Sequence, residues 1–322
     1  MLNQKKLLRP LDFIFFMRPV ILIPLWSFIL IGYYHSNNSI QIDKFFQHHI
    51  SFQLIIKSVL STFIVGTVYI INQIFDRKTD ALNKKLFFIP KGIITPHQAK
   101  WQSYILVILF VAGSIIFKLD WYYILFNMVL LLLGICYSMP PFQFKSRPGF
   151  DLLLNMIGYG GLSFFIGWTA DKSISHTMLL MSLPYFLFMA AMYINTTMID
   201  YEGDKDSGLV TTGVFLGKNL ASLISLIVVI VTLVIGYLQK NWIIFSIVGL
   251  SSPLFAIAWL KKERKNFLLS VQIPGWLFVI FLGILYPYFF LLIVCLYLLT
   301  KFYYKQRFNM NYPRIGEEKQ TN

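Results

Sequence analysis

Residues 55–80 read IIKSVLSTFIVGTVYIINQIFDRKTD. The apolar part, Ile55 to Phe75, is long enough as a helix to cross a hydrocarbon core of ~30 Å at about 1.5 Å per residue. It ends in Asn72, Asp76 and Asp80, spaced by four. Each step of four advances about 40° beyond a full helical turn, so the three lie on one slowly rotating stripe. A greasy helix that ends in hard oxygen donors predicts an all-α membrane protein with a cation site at the rim of the bilayer.

The whole chain extends this pattern. It has 322 residues, 57% hydrophobic, 17% aromatic and 13% charged, against about 45–50% apolar in ordinary soluble domains. Apolar runs of membrane-crossing length are predicted at Phe13 to Tyr34, Ile55 to Phe75, Trp101 to Phe117, Trp121 to Tyr137, Leu152 to Thr169, Met178 to Ile199, Leu220 to Leu238 and Trp242 to Leu260. A last stretch, Phe267 to Thr300, is too long for one untilted span and carries Pro274, Gly275, Gly283 and Pro287. It forms either one long span or a tight hairpin, so the expectation is a multi-pass bundle of nine or ten spans. No stretch reads as an appended soluble domain. We expect a single unit over residues 1–322, with a core of about 10–300 and a basic tail at 301–322.

The net charge of +14 is topological rather than a nucleic-acid footprint. Loops after the second, fourth, sixth and eighth spans carry fourteen Lys and Arg, whereas the loops on the other side carry four: Lys44, Lys118, Lys172 and Lys240. The positive-inside rule therefore predicts that the N-terminus and both acidic clusters face the cytoplasm. Lys5, Lys6 and Arg9 precede a full-length helix with no small-residue cleavage site, which reads as an anchor rather than a removed signal. Cys136 and Cys295, both in or beside spans, are expected to be packing residues.

A second acidic cluster, Asp200-Tyr-Glu-Gly-Asp204-Lys-Asp206, ends the sixth span. Together the two clusters hold six of the fourteen carboxylates: Asp76, Asp80, Asp200, Glu202, Asp204 and Asp206. Asn72, Asp76 and Asp80 share a rhythm of four with Thr196, Asp200 and Asp204, four spans later, which hints at two similar helical halves. Two converging stripes of this kind would cage metal ions bridged by a diphosphate, because Mg²⁺ takes few carboxylates and completes its shell with water and phosphate. The plainer reading is solvated acids paired with Arg77, Lys78 and Lys205. Between the clusters lies Tyr137-Ser-Met-Pro-Pro-Phe-Gln-Phe-Lys145-Ser-Arg147-Pro-Gly149, a proline-stiffened basic loop. It is suited either to neutralising a diphosphate leaving group or simply to fixing topology. Arg18, followed by Pro19 inside the first span, either snorkels or faces a polar cavity.

There is no Walker loop, dinucleotide glycine fingerprint, HExxH or nucleophile elbow, and the five His are scattered. A cation-coupled transporter also combines intramembrane acids with two helical halves, but its acids usually lie near the bilayer midplane. Here both clusters end spans on one face, which favours an enzyme.

These residues resemble the UbiA-type intramembrane prenyltransferase superfamily. Asn72, Asp76 and Asp80 are similar to its Asn-x-x-x-Asp-x-x-x-Asp motif, Asp200 and Asp204 to its Asp-x-x-x-Asp motif, and Tyr137-Ser138 with Lys145 to its Tyr-Ser…Lys loop. The resemblance implies a helical bundle around a central cavity, capped on the cytoplasmic side and open laterally to lipid. It implies Mg²⁺ held by Asn72, Asp76, Asp80, Asp200 and Asp204, and a diphosphate gripped by Lys145, with Arg77 and Arg147 as further candidates. Tyr137 would border an allylic cation. The implied partners are a polyprenyl diphosphate donor, a small lipophilic or aromatic acceptor and the bilayer, with no nucleic acid. The acceptor is a quinone-precursor ring, a tetrapyrrole, a glyceryl phosphate lipid or a carotenoid end. One departure stands out. Where many members have Asn-x-x-x-Arg-Pro-Ile-Pro-x-Gly, this chain has Asn83-Lys-Lys-Leu-Phe-Phe-Ile89-Pro90-Lys91-Gly92, leaving Lys84 or Lys85 to supply the charge of the missing Arg.

Overall fold

In the computed structural model, which describes residues 8–37, 50–83 and 88–313, every regular element is a helix. Hydrocarbon offers no hydrogen-bond partner to a backbone amide, so a chain this apolar satisfies its amides within helices. Among the described residues, ten helices are long and apolar enough to cross a membrane. In order they are Arg9–Ser36, Phe52–Asn83, Pro96–Ile116, Trp121–Ser138, Phe150–Trp168, His176–Ile199, Thr212–Leu238, Trp242–Lys261, Arg264–Leu285 and Pro287–Phe308. The long C-terminal apolar stretch is thus the hairpin and not the single span. Its helices part at Tyr286 (φ −131°, ψ 80°), just before Pro287, whose missing amide hydrogen is tolerated at a helix start but costs a hydrogen bond inside one.

Regular α-helix is interrupted at four places along the spans. The first span stops at Phe16, and Arg18 adopts a left-handed conformation (φ 58°, ψ 59°). A 3₁₀ turn at Pro19–Leu22 follows before the helix resumes at Ile23–Ser36, so the straight first span expected from Phe13 to Tyr34 is broken. Pro19 has no amide hydrogen to continue the ladder, which places the break there. The fifth span is α-helical at Phe150–Asn155, π-helical at Met156–Ser163 and α-helical again to Trp168. Within the seventh, Gly217 is non-helical (φ 73°, ψ 160°), separating a short leading turn from the span proper. The last is the hairpin break at Tyr286.

The first and last spans join at one end of the bundle. Buried Asp12 accepts hydrogen bonds from Tyr303 at 2.6 Å and from Arg307 at 2.9 and 3.0 Å, and Phe15 stacks on Tyr303 with ring centroids 3.8 Å apart. At the other end of the second span from its acids, Lys57 is 2% exposed. Its ammonium donates to Asp120 and to the Thr169 carbonyl, both at 2.6 Å, tying the second, fourth and fifth spans together. Cys136 is half-buried, but Cys295 is exposed on the outside of the tenth span, so it is not the packing residue expected.

The first and fifth spans cross at small residues. A Cβ on Gly167 would lie 1.8 Å from the Ile29 carbonyl oxygen, and one on Gly32 would lie 2.0 Å from that of Phe164. Close backbone approach through glycine is a principal way helices associate in lipid. Gly167→Ala is therefore expected to lower the thermal midpoint of the purified chain, with a cost of about 1–3 kcal/mol or more for overpacking against backbone. Gly249→Ala, whose Cβ would meet only Leu233 at 3.6 Å, should leave the midpoint unchanged or raised in the same assay.

Candidate active site

The first, second, fourth, fifth and sixth spans wall a cavity of about 540 Å³. The second span contributes one stripe in helical spacing: Val65, Tyr69, Asn72 and Asp76. The sixth contributes Tyr193, Thr196 and Thr197, continued by Asp200 and Asp204. The two acidic motifs, 120 residues apart in sequence, thus face one space, and Lys145 and Tyr137 face it with them.

Local structure explains each placement. Asn72 and Asp76 lie in the last turns of the helix Phe52–Asn83. Asn72 donates through its amide nitrogen to Asp76 at 2.8 Å and to Ser138 at 3.2 Å. Both amide hydrogens are thereby used, leaving the carbonyl oxygen as the acceptor that can turn to a cation. Asp76 also takes an ion pair from Lys145, both side chains being about one-fifth exposed. Lys145 sits in a 3₁₀ turn, Phe144–Ser146, braced by a Ser146 hydroxyl bond to the Gln143 carbonyl at 2.9 Å. Asp200 ends the sixth span and begins a single-turn helix, Tyr201–Asp206. The Asp204 amide donates to the Asp200 carbonyl at 2.9 Å, which keeps the two side chains on one side. Glu202 points elsewhere: it pairs with Lys218 at 2.6 Å, and that cation holds its carboxyl below the ordinary carboxylate value.

Two of the basic candidates are not brought to the cavity. Arg77 is exposed and does not line it, because one residue beyond Asp76 points about 100° away around the helix. Arg147 is also exposed; it donates to the Pro141 carbonyl at 3.0 Å and lies over the Phe144 ring at 5.6 Å. Its charge stiffens the Lys145 loop instead of facing the site. The side chain of Asp80 and residues Lys84 and Lys85 lie outside the described residues.

Conversely, Tyr69, Tyr159 and Tyr193 wall the cavity without having been singled out in the sequence. Tyr137 and Tyr193 share a hydroxyl hydrogen bond at 3.1 Å. Tyr69 bonds Tyr159 and donates to the Ile21 carbonyl at 2.9 Å. Nothing separates these from the chain's other tyrosines by composition. Helical spacing would have found two of them, since Tyr69 and Tyr193 each lie two turns before the first acid of their stripe, Asp76 and Asp200. Arg18 lines the cavity from the break in the first span, and its guanidinium makes no hydrogen bond or ion pair with the described residues. It faces the cavity and does not snorkel.

Among the described residues, no three His, Cys, Asp or Glu approach closely enough to hold a metal ion by themselves. The donors nevertheless fit Mg²⁺. Asn72, Asp76, Asp200 and Asp204 offer hard oxygens from two sides of one cavity, and this cation is commonly held by one or two carboxylates together with substrate phosphates.

The sequence model described as the UbiA prenyltransferase family matches residues 46–267. Among curated proteins, the chain is similar to the digeranylgeranylglyceryl phosphate synthase of Sulfurisphaera tokodaii, 26% identical over 192 residues, covering 57% of this chain and 66% of that one. It is also similar to the 2-acylphloroglucinol 4-prenyltransferase of Humulus lupulus, 26% identical over 239 residues, covering 68% and 51%. The chain thus spans just under two thirds of the first relative and about half of the second. Its fold matches that of a UbiA homolog from Archaeoglobus fulgidus solved bound to GPP and Mg²⁺. The TM-score is 0.61 at 21% identity, covering 88% of this chain and 99% of that one.

The ion pair between Lys145 and Asp76 makes the role of the loop measurable. If Lys145 binds an anionic group in the cavity, Lys145→Ala is expected to slow turnover by about tenfold or more, from a charge-assisted contact of 1.5–3 kcal/mol. Lys145→Arg should restore part of it, since charge matters more than shape for a phosphate contact. Wild-type steady-state kinetics for a correctly inserted Lys145→Ala protein would remove this loop from the site.

Proposed function

This chain belongs to the UbiA prenyltransferase family, and on that premise we propose that it transfers a polyprenyl group from an allylic polyprenyl diphosphate to a membrane-associated acceptor, with Mg²⁺ and with release of diphosphate. The observation that carries this reading is the convergence of Asn72, Asp76, Lys145, Asp200 and Asp204 on one cavity.

In this reading Asn72 and Asp76, with Asp80 by resemblance, hold metal on one side, and Asp200 and Asp204 hold it on the other. When bound, Mg²⁺ neutralises diphosphate charge and makes it a better leaving group. Lys145 exchanges its partner Asp76 for a diphosphate oxygen and stabilises the charge that grows there as the allylic C–O bond breaks. The electron pair of that bond leaves with the diphosphate. The acceptor then forms a bond to the allylic carbon and gives up a proton. The ring faces of Tyr137 and Tyr193 border the cation, and the apolar walls below them take the prenyl chain and exclude water that would otherwise quench it.

Arg18 bears on the acceptor. A guanidinium that faces a membrane-embedded cavity with no ion-pair partner among the described residues is costly, and an anionic acceptor would supply one. Among the four acceptor classes this favours a glyceryl phosphate lipid, which agrees with the name of the archaeal relative. The distribution of basic loops supports a cytoplasmic position for the acidic rim, where soluble diphosphate can leave.

The rival, a cation-coupled transporter, is disfavoured by acids that all end spans at one rim. Asp76→Ala and Asp200→Ala should each lower the rate of prenylated product formation by at least two orders of magnitude, on the order of 3 kcal/mol, while membrane insertion is unchanged. EDTA should abolish the wild-type rate, and added Mg²⁺ should restore it. Near-normal turnover in either variant would refute the proposed cage, and gradient-driven solute uptake without covalent product would establish the transporter. For Arg18→Gln the expectation is a KM for a phosphate-bearing acceptor raised about tenfold, with the KM for the donor unchanged. A rise in the donor KM alone would move Arg18 to the diphosphate.

A further inference from the structure

Asp151, at the start of the fifth span, is 0% exposed and belongs to neither acidic motif. A carboxylate buried at that depth is expensive unless its oxygens are bonded. Both are, and both to one residue: Oδ2 accepts from the Thr212 amide at 2.8 Å, and Oδ1 accepts from the Thr212 hydroxyl. The Thr212 hydroxyl oxygen also accepts from the Gly149 amide at 2.8 Å, with Gly149 at φ 84°, a conformation that suits glycine. Three hydrogen bonds therefore join points 61 and 63 residues apart in sequence.

The placement of this knot matters. The loop entering Asp151 carries Lys145, whose other attachment is Asp76. The loop entering Thr212 carries Asp204, Leu209 and Thr211, all of which line the cavity. The downstream ends of the two loops are thus fastened to each other, while their functional side chains face the same space. Apolar packing could hold the spans together without burying a charge. Directional, charge-assisted bonds instead set the distance between the loops.

We propose that Asp151 and Thr212 form a staple that sets the position of Lys145 relative to Asp200 and Asp204. They act as positioning residues for the diphosphate rather than as ligands to it. This rests on the transferase reading of the cavity.

The test compares Thr212→Val, Thr212→Ser and Asp151→Asn with wild type in the purified full chain. Calorimetry measures binding of an allylic prenyl diphosphate with Mg²⁺ in the absence of acceptor, and thermal midpoints are recorded in parallel. Thr212→Val removes the hydroxyl at nearly constant volume, and Asp151→Asn turns one acceptor into a donor. Both are expected to weaken binding about tenfold at a temperature well below either midpoint, the midpoints themselves being lowered by the orphaned polar groups, while Thr212→Ser, which keeps the hydroxyl, recovers most of the affinity. Wild-type affinity in Thr212→Val, or a loss in Thr212→Ser as large as in Thr212→Val, overturns the staple. So does an equal loss of affinity in Gly167→Ala, which lowers the midpoint at a residue that does not line the cavity. If the wild-type chain binds the diphosphate but yields no prenylated product, the transferase reading fails, and the staple is still judged on the binding data.

Discussion

A hydrocarbon layer offers no partner to a charge or to an unpaired amide, and the whole molecule is arranged around that fact. Ten helices satisfy their own backbones. The ionisable groups buried among them each have a bonded counterpart: Lys57 with Asp120, Asp12 with Arg307, and Asp151 with Thr212. Arg18 is the instructive contrast. It lies where the first helix is broken, and the break lets its side chain face a cavity instead of lipid.

Irregular backbone recurs around that same cavity. The left-handed Arg18 and its 3₁₀ turn lie on one wall, and the π-helical Met156–Ser163 segment lies on another. Elsewhere in a membrane such segments would leave amides unsatisfied. Here they aim Tyr159 and Arg18 inward, which agrees with the frequency of π-bulges at functional sites. The site is therefore a place where regular helix gives way, stabilised by close-packed regular helix around it, such as the glycine crossing of the first and fifth spans.

Charge acts on two scales in this chain. The many exposed bases set orientation collectively, and no one of them is needed. Lys145, by contrast, lies within reach of a motif carboxylate. Arg77 and Arg147 look equivalent to it in sequence, yet one points around the helix into solvent and the other braces its own loop. Proximity along the chain did not distinguish them. Direction did.

By itself the sequence determined the class of fold, the approximate spans and the two acid stripes. These follow from local rules, namely the length of an apolar run, the 3.6-residue period and the distribution of bases. It left open whether residues 267–300 were one span or two, because the consequence of Tyr286-Pro287 depends on whether the neighbouring helices accept a hairpin. The tertiary structure alone decided which side chains share the cavity. That Asn72 meets Ser138, that Tyr69 meets Tyr159 and that Asp151 meets Thr212 depends on how separate helices pack. Packing is set by shape and by small residues such as Gly32 and Gly167, whose partners lie more than a hundred residues away and leave no periodic trace in the sequence.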